Sequence, residues 1–422
     1  VRALLEARGV SAASFPSYLG TIRKTNAKRI REGDLDHLVF YMLQSRRFTP
    51  LPPIEPALSA KALFEALDEA QRTTFLKEST APSFRVPADV QARAAALVRA
   101  LDSAGRDERL VYFRELAEAS FPVRRERQAA LIREYVRAMR FVYEKEFVAQ
   151  KSANPGSQVA ALYRKRGLST DTAVEAGYLV YLGLGVVKSL DPSRRIRRVL
   201  IVGPGLDLAP RTALHEEGPP QSHQPWAVID ALVSLELARL DDLTVVGADI
   251  NPRVVNHLRR AAAHPPLLTL TSEVGETPGV ALTADYRDYF RKLGQAIGTE
   301  DKPVATDRLS KTIQLSSPAG RALEAETVDI VTQRLIGEPF DLVIATNIFP
   351  YFDDVQLTMA LTNVAGMLRP GGVFLHNESR PLVGAITDAL GLAFEQSRHA
   401  TIAAVKGAPP LGDSAWIHRK RH

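Results

Sequence analysis

The chain contains no cysteine. That excludes disulfides, thiolate nucleophiles and cysteine metal centres, and no metal site is expected. No apolar run reaches the roughly 18 residues that a membrane span needs. Neither charge sign dominates: 54 Lys and Arg stand against 48 Asp and Glu, for a net charge of +6. So mild an excess does not imply a nucleic-acid partner. Internal repeats, low-complexity tracts and a recognisable targeting segment are also missing. The first residue is Val1 rather than Met, so a piece is expected to be missing from the start.

What is present is enough for two cores. The chain has 422 residues, 45% of them hydrophobic, a globular composition and more than one ordinary core holds. The loop signal SANPGS (152–157) sets the expected boundary: a helical N-terminal domain, 1–157, and a second domain, 158–422. Residues 1–48 read as short helices. The basic piece at 23–31 reads as a solvated face, and LDHLVFYMLQS (35–45), apolar nearly all round, as interior. The prolines of TPLPPIEP (49–56) forbid helix and favour an extended link. Over 123–149, Leu131, Tyr135, Val136, Met139, Val142 and Phe147 make an apolar stripe at helical spacing.

From about 158 the texture changes. A helix near 170–189 is followed by apolar strands alternating with helical stretches, the pattern of an α/β parallel sheet. Strands are expected near 198–202, 244–248, 280–284, 341–346 and 373–376, with LLTLTS (267–272) as an extra one. Helices are expected near 225–240, 252–263, 286–293 and 354–367. An insertion at 299–335 holds TIQLS as a strand and a helix over 320–335. The two last strand-like runs, LAFEQSRHATIAAV and AWIHRKR, are expected to close the sheet as an antiparallel pair.

Chemistry gathers at strand ends. The run VLIV (199–202) ends in Gly203-Pro204-Gly205, where the backbone can turn sharply and be closely approached. The dinucleotide fingerprint wants a third glycine where Leu208 stands, which disfavours a nicotinamide or flavin cofactor. The second strand ends in Asp249, placed for a ribose diol, with Ile250 after it. The third expected strand ends before Asp285 and Tyr286, where an acid would accept from the exocyclic amine of adenine. Each acid has a plainer reading as a helix N-cap, before NPRVVNHL and YRDYF. The loop HEEGPPQSHQPW (215–226) either covers the cofactor or is simple surface.

Taken together, these pieces resemble the class I S-adenosylmethionine-dependent methyltransferases from about residue 195 to the end. The matching segments are VLIVGPG, VVGADI, TADY, FDLVIATNIFPYFDD and MLRPGGVFLHNES. The resemblance implies a Rossmann-like fold, a mostly parallel sheet with an antiparallel last strand, behind the all-α N-terminal domain. It implies S-adenosylmethionine as cofactor, held by Gly203, Gly205, Asp207, Asp249, Ile250, Asp285, Tyr286 and Asn347. The chain also departs from the pattern, with Ile201 where the superfamily usually has an acid; Asp207 either substitutes for that acid, holding the methionine ammonium or a water, or caps a short helix. NIFPYFDD and LRPGGVFLHNES are locally similar to chemotaxis receptor methyltransferases, with Glu378-Ser379 reversed. NIFPY also faintly echoes the Asn-Pro-Pro-Tyr of amino-group DNA methyltransferases, with one proline missing.

The loop after the fourth strand faces the methyl group in this superfamily. Asn347, Tyr351 and Asp353 are therefore the expected catalytic residues, with His376 as a base or else an interior hydrogen-bonded histidine. In-line methyl transfer depends mostly on alignment, and a base is needed only for a protonated acceptor. The acceptor is expected to be a small molecule or a protein side chain. The alternative is a non-catalytic nucleoside-binding or scaffold protein with a degenerate methyltransferase domain. Because the cofactor is made in the cytosol, a cytoplasmic location is expected, with export left open by the missing start.

Overall fold

The computed structural model describes residues 2–7, 9–77, 84–208, 219–301 and 308–422. They pack as two units. One holds the chain up to Lys24, Thr172–Leu206 and Gln221–His422; the other holds Thr25–Asp171 and Asp207–Pro220. The boundary expected at 157 lies inside the second of these, and the chain's start belongs to the first.

The first unit is built on a sheet. Its strands are β1 (Arg198–Val202), β2 (Thr244–Asp249), β3 (Leu267–Thr271), β4 (Val280–Leu282), β5 (Gly298–Glu300) and β6 (Ser310–Leu315). They continue as β7 (Leu323–Thr327), β8 (Phe340–Ala345), β9 (Leu368–His376), β10 (Leu392–Val405) and β11 (Leu411–Lys420). Eight form one sheet in the order β4-β10-β11-β9-β8-β1-β2-β7, and β3-β6-β5 form a second, small one. The run β9-β8-β1-β2-β7 is parallel, while β11 lies antiparallel between β9 and β10.

Burial explains the sequence of the central strands. Val199 to Val202 are all buried, so β1 has no wet face and no polar alternation. Leu200, Val202, Val246, Val343 and Phe374 share one core with Leu361 and Val364 of the helix Asp354–Met367. Leu5 and Ile22, from the start of the chain, join that core.

Two expectations fail here. The segment expected as the third parallel strand, 280–284, is the three-residue β4, antiparallel to β10 at the opposite edge from β7. The helix expected over 320–335 is not formed; β7 occupies part of it and pairs in parallel with β2. LEAET has neither the apolar run of β1 nor an unbroken alternation, because an edge strand needs only Leu323 and Ala325 inside. LLTLTS and TIQLS do form strands, β3 and β6, but as the small second sheet.

The second unit is helical. Of the short helices expected over residues 1–48, one forms, Arg2–Ala7; the rest is a single helix, Phe15–Gln44, which belongs to this unit from Thr25 on. Leu35, Leu38, Tyr41 and Met42 are buried, as the all-round apolar texture of 35–45 implies. Arg29, expected in a solvated face, is buried and donates to the carbonyls of Arg166 and Tyr163. Arg93 is buried too. Its guanidinium donates to the carbonyls of Met42, Ser45, Leu51 and Pro52, which ties the proline-rich link to the helix Ala88–Asp102. A buried guanidinium is tolerable only with its donors satisfied in this way.

Candidate functional site at the carboxyl rim of the sheet

The parallel strands β1, β2, β7, β8 and β9 all end on one rim. Open α/β sheets bind ligands there, because helix starts and loop amides gather at the strand ends. At the end of β1 the backbone turns left-handed twice, at Gly203 (φ +68°) and Gly205 (φ +78°). The Gly203 amide donates to the carbonyl of Ala248 on β2, at 2.8 Å. A Cβ on Gly203 would lie 2.6 Å from Cγ2 of Ile348, so the loop after β8 rests directly on this turn.

Asp249, at the end of β2, is buried and accepts from the amide of Asn251 at 2.8 Å. The helix cap before NPRVVNHL is Asn251, which accepts from Arg253, so Asp249 is not the cap. Ile250 lies between them, partly exposed. On the neighbouring strand, two residues past the end of β7, stands a second acid, Asp329. Its carboxylate accepts from the amide of Val331 and the hydroxyl of Thr332. Val328 donates back to the carbonyl of Asp249, at 3.0 Å, which holds the two strand ends side by side.

Asp329 is the acid that sequence reasoning missed. The available signal was the repeat of an acid followed by isoleucine, Asp249-Ile250 and Asp329-Ile330, each just past an apolar position. Asp285, chosen instead, follows β4, with five strands between β4 and β2. It is exposed in the first turn of the helix Ala284–Lys292, whose cap is Thr283. Tyr286 is buried, and its hydroxyl donates to Glu175. The structure therefore does not bring Asp285 and Tyr286 to Asp249. Asp207 belongs to the helical unit, Gly203 and Gly205 to the sheet unit. Of the loop 215–226, residues 215–218 lie outside the described residues.

Past β8 the chain turns at Asn347, which is left-handed (φ +61°) without being glycine. Asn377, just beyond β9, holds it at two points. The Asn347 amide donates to Asn377 Oδ1 at 2.9 Å, and Asn377 Nδ2 donates to Asn347 Oδ1 at 2.7 Å. Asn377 Nδ2 also donates to Asp413 of β11 at 2.7 Å. Neither Asn377 nor Asp413 stood out in the sequence. Tyr351 closes the short turn Phe349–Tyr351. Arg380 clamps that turn by donating to the carbonyls of Phe349 and Phe352.

Two expected catalytic residues have structural duties. Asp353 is the N-cap of the helix Asp354–Met367, in a reciprocal capping box with Gln356. His376 is buried, stacked on His418 with ring centroids 5.1 Å apart, and its Nδ1 accepts from the amide of Glu378. Burial, with His418 beside it, pushes its pKa down to about 3, so the ring is neutral near pH 7. Among the described residues, no group of three or more His, Asp or Glu side chains is set to hold a metal ion.

This strand arrangement decides the fold. The sheet is Rossmann-like as expected, a parallel run β9-β8-β1-β2-β7 with β11 antiparallel beside it. No family model and no curated protein matches the chain. Among solved structures, it is similar to the N-methyltransferase NodS from Bradyrhizobium japonicum WM9, in complex with S-adenosyl-L-homocysteine. That match has 12% identity over 58% of this chain and 88% of that one, with a TM-score of 0.30. It is also similar to magnesium protoporphyrin IX methyltransferase from Synechocystis PCC 6803 with bound SAM. Here identity is 8% over 66% of this chain and 93% of the other, with a TM-score of 0.31. TrmN from Thermus thermophilus matches at 12% identity over 58% of this chain and 52% of its own, with a TM-score of 0.28. What the rim can bind follows from its own residues, not from these overlaps.

Proposed function

We propose that the sheet unit binds S-adenosylmethionine and transfers its methyl group to an acceptor, a small molecule or a protein side chain. The observation that carries the reading is the pair of buried carboxylates on adjacent strand ends, Asp249 and Asp329, beside the left-handed turn at Gly203. Carboxylates accept hydrogen bonds. A ribose diol and an adenine amine each offer donors, and a glycine turn lets such a group lie against the backbone. In this reading Asp249 takes the ribose, Asp329 the adenine amine, and Gly203 and Gly205 give the adenosyl group its floor.

When bound, the cofactor supplies a sulfonium methyl that leaves by in-line displacement. This chain's part is alignment and exclusion of water. Asn347, held by Asn377, and Tyr351, in the turn clamped by Arg380, are the residues proposed to face the acceptor. Tyr18, from the chain's first residues, packs on the same core, and its hydroxyl is held above its ordinary pKa by burial and by the Asp353 charge. The start of the chain thus reaches the loop after β8 and is proposed to help select the acceptor. The structure supplies no exposed histidine base at His376, so an acceptor already carrying a free lone pair fits best.

The same burial of His376 and the capping duty of Asp353 favour a second reading, a protein that binds the nucleoside without turnover. Calorimetric titration with S-adenosylmethionine, S-adenosylhomocysteine and NAD separates these. Methyl transfer predicts binding of the first two and not the third, and release of labelled product with some acceptor. Binding of the product without transfer to any amine, hydroxyl or protein acceptor supports the second reading. Selective binding of NAD overturns both.

A further inference from the structure

The helix Gln224–Ser234 begins over the rim. Gln224 itself is buried, 1% exposed. Its Nε2 donates to the hydroxyl of Thr346 at 2.8 Å. Thr346 is the residue after β8, and the register Val202↔Ala345 sets it level with Gly203. Two residues earlier, Ser222 reaches the carbonyl of Pro204. The start of this helix is therefore pinned across the ends of β1 and β8. Yet the other end of the Gln224 amide, Oε1, is buried with no hydrogen-bond partner among the described residues. Buried amide oxygens are rarely left so, because an unmet acceptor carries the full cost of leaving water with no bond in return.

The sheet order says what would meet it. If Asp249 on β2 takes the ribose and Asp329 on β7 the adenine, the rest of the cofactor extends the other way. It runs across β1 toward β8, and its far end is an amino acid carrying a protonated amine. We propose that Gln224 Oε1 accepts a hydrogen bond from the amino-acid ammonium of S-adenosylmethionine, and that Thr346 fixes the amide in the orientation that presents this oxygen. The assignment rests on the methyl-donor reading above. An acceptor left dry in the empty protein and satisfied in the complex places its cost on the empty state, which sharpens discrimination for ligands that carry the amine.

The test compares two ligands on the apo protein and its variants. S-adenosylhomocysteine has the amino-acid end; 5′-methylthioadenosine keeps the nucleoside and lacks it. Gln224→Met fills the same space with no acceptor. It is expected to weaken S-adenosylhomocysteine about tenfold or more, the worth of one charge-assisted hydrogen bond, and to leave methylthioadenosine unchanged. The melting temperature without ligand is expected to hold or rise, since an unmet acceptor is removed. Gln224→Glu, which keeps an acceptor oxygen, is expected to retain S-adenosylhomocysteine binding. Equal loss of both ligands, or an undiminished affinity of Gln224→Met for S-adenosylhomocysteine, overturns the assignment. Wild-type protein that binds neither ligand overturns the methyl-donor reading beneath it.

Discussion

Gly203 shows how much one missing side chain decides. Its φ of +68° and the 2.6 Å approach of Ile348 to a built Cβ both exclude any larger residue. Gly203→Ala is expected to cost about 1–3 kcal/mol in urea unfolding, from backbone strain and the clash together. Asn347 is the opposite case, a left-handed residue held by side-chain bonds. Asn347→Ala loses the bond that its Oδ1 accepts from Asn377 and keeps the strain, whereas Asn347→Gly loses the same bond and relieves the strain; the backbone amide keeps its bond to Asn377 in both. The glycine variant is therefore expected to be the more stable of the two by about 1 kcal/mol. His376 yields a pH prediction. Its folded pKa of about 3 lies below the ordinary 6.5. The folded state thus resists protonation, and the histidine's contribution to stability is whole above about pH 6.5 and drains as pH falls toward 3. His376→Phe is expected to flatten the acid limb of a stability–pH curve relative to wild type. An unchanged slope would place the ring in a wetter setting than the one described.

At the level of the element, the long helix Val174–Leu190 leads into β1 and carries Glu175 in its first turn. One oxygen of Glu175 accepts from the hydroxyls of Ser272 and Tyr286 and the amide of Glu273. That single carboxylate ties the helix to the end of β3 and to the helix Ala284–Lys292. Glu175→Leu removes the acceptor these three donors share, and is expected to cost about 1–3 kcal/mol by thermal melt, with Glu175→Gln costing less. The same elements show what the sequence could and could not say. β1, β2, β8 and β9 were legible because strands buried on both faces write themselves as apolar runs. β7 was not, because an edge strand buries only alternate residues, and LEAET spends the rest on charge. With β7 misread as helix, the second rim acid went to Asp285, the next acid after a short apolar run. Asp353 was likewise legible as a residue of the right loop, but its capping box needs only Gln356 three residues on, a local pattern outweighed by the resemblance.

For the whole molecule, the segment 299–335 is not the detachable insertion that its position suggested. It contains β6 and β7, and β7 is the outer partner of β2. Deleting 299–335 is therefore expected to abolish cooperative unfolding of the sheet unit, monitored by circular dichroism. Retained cooperative folding would mean that β2 tolerates a bare edge. No helix among the described residues is long and apolar enough to cross a membrane. The reading as a whole turns on which end of the sheet holds the nucleoside. A crystal structure of the protein with S-adenosylhomocysteine measures that directly. The account predicts the ribose hydroxyls on the Asp249 carboxylate and the adenine amine toward Asp329, above the turn at Gly203. Density for the ligand beside β4 and Asp285, or none at the ends of β1 and β2 at saturating ligand, would contradict it.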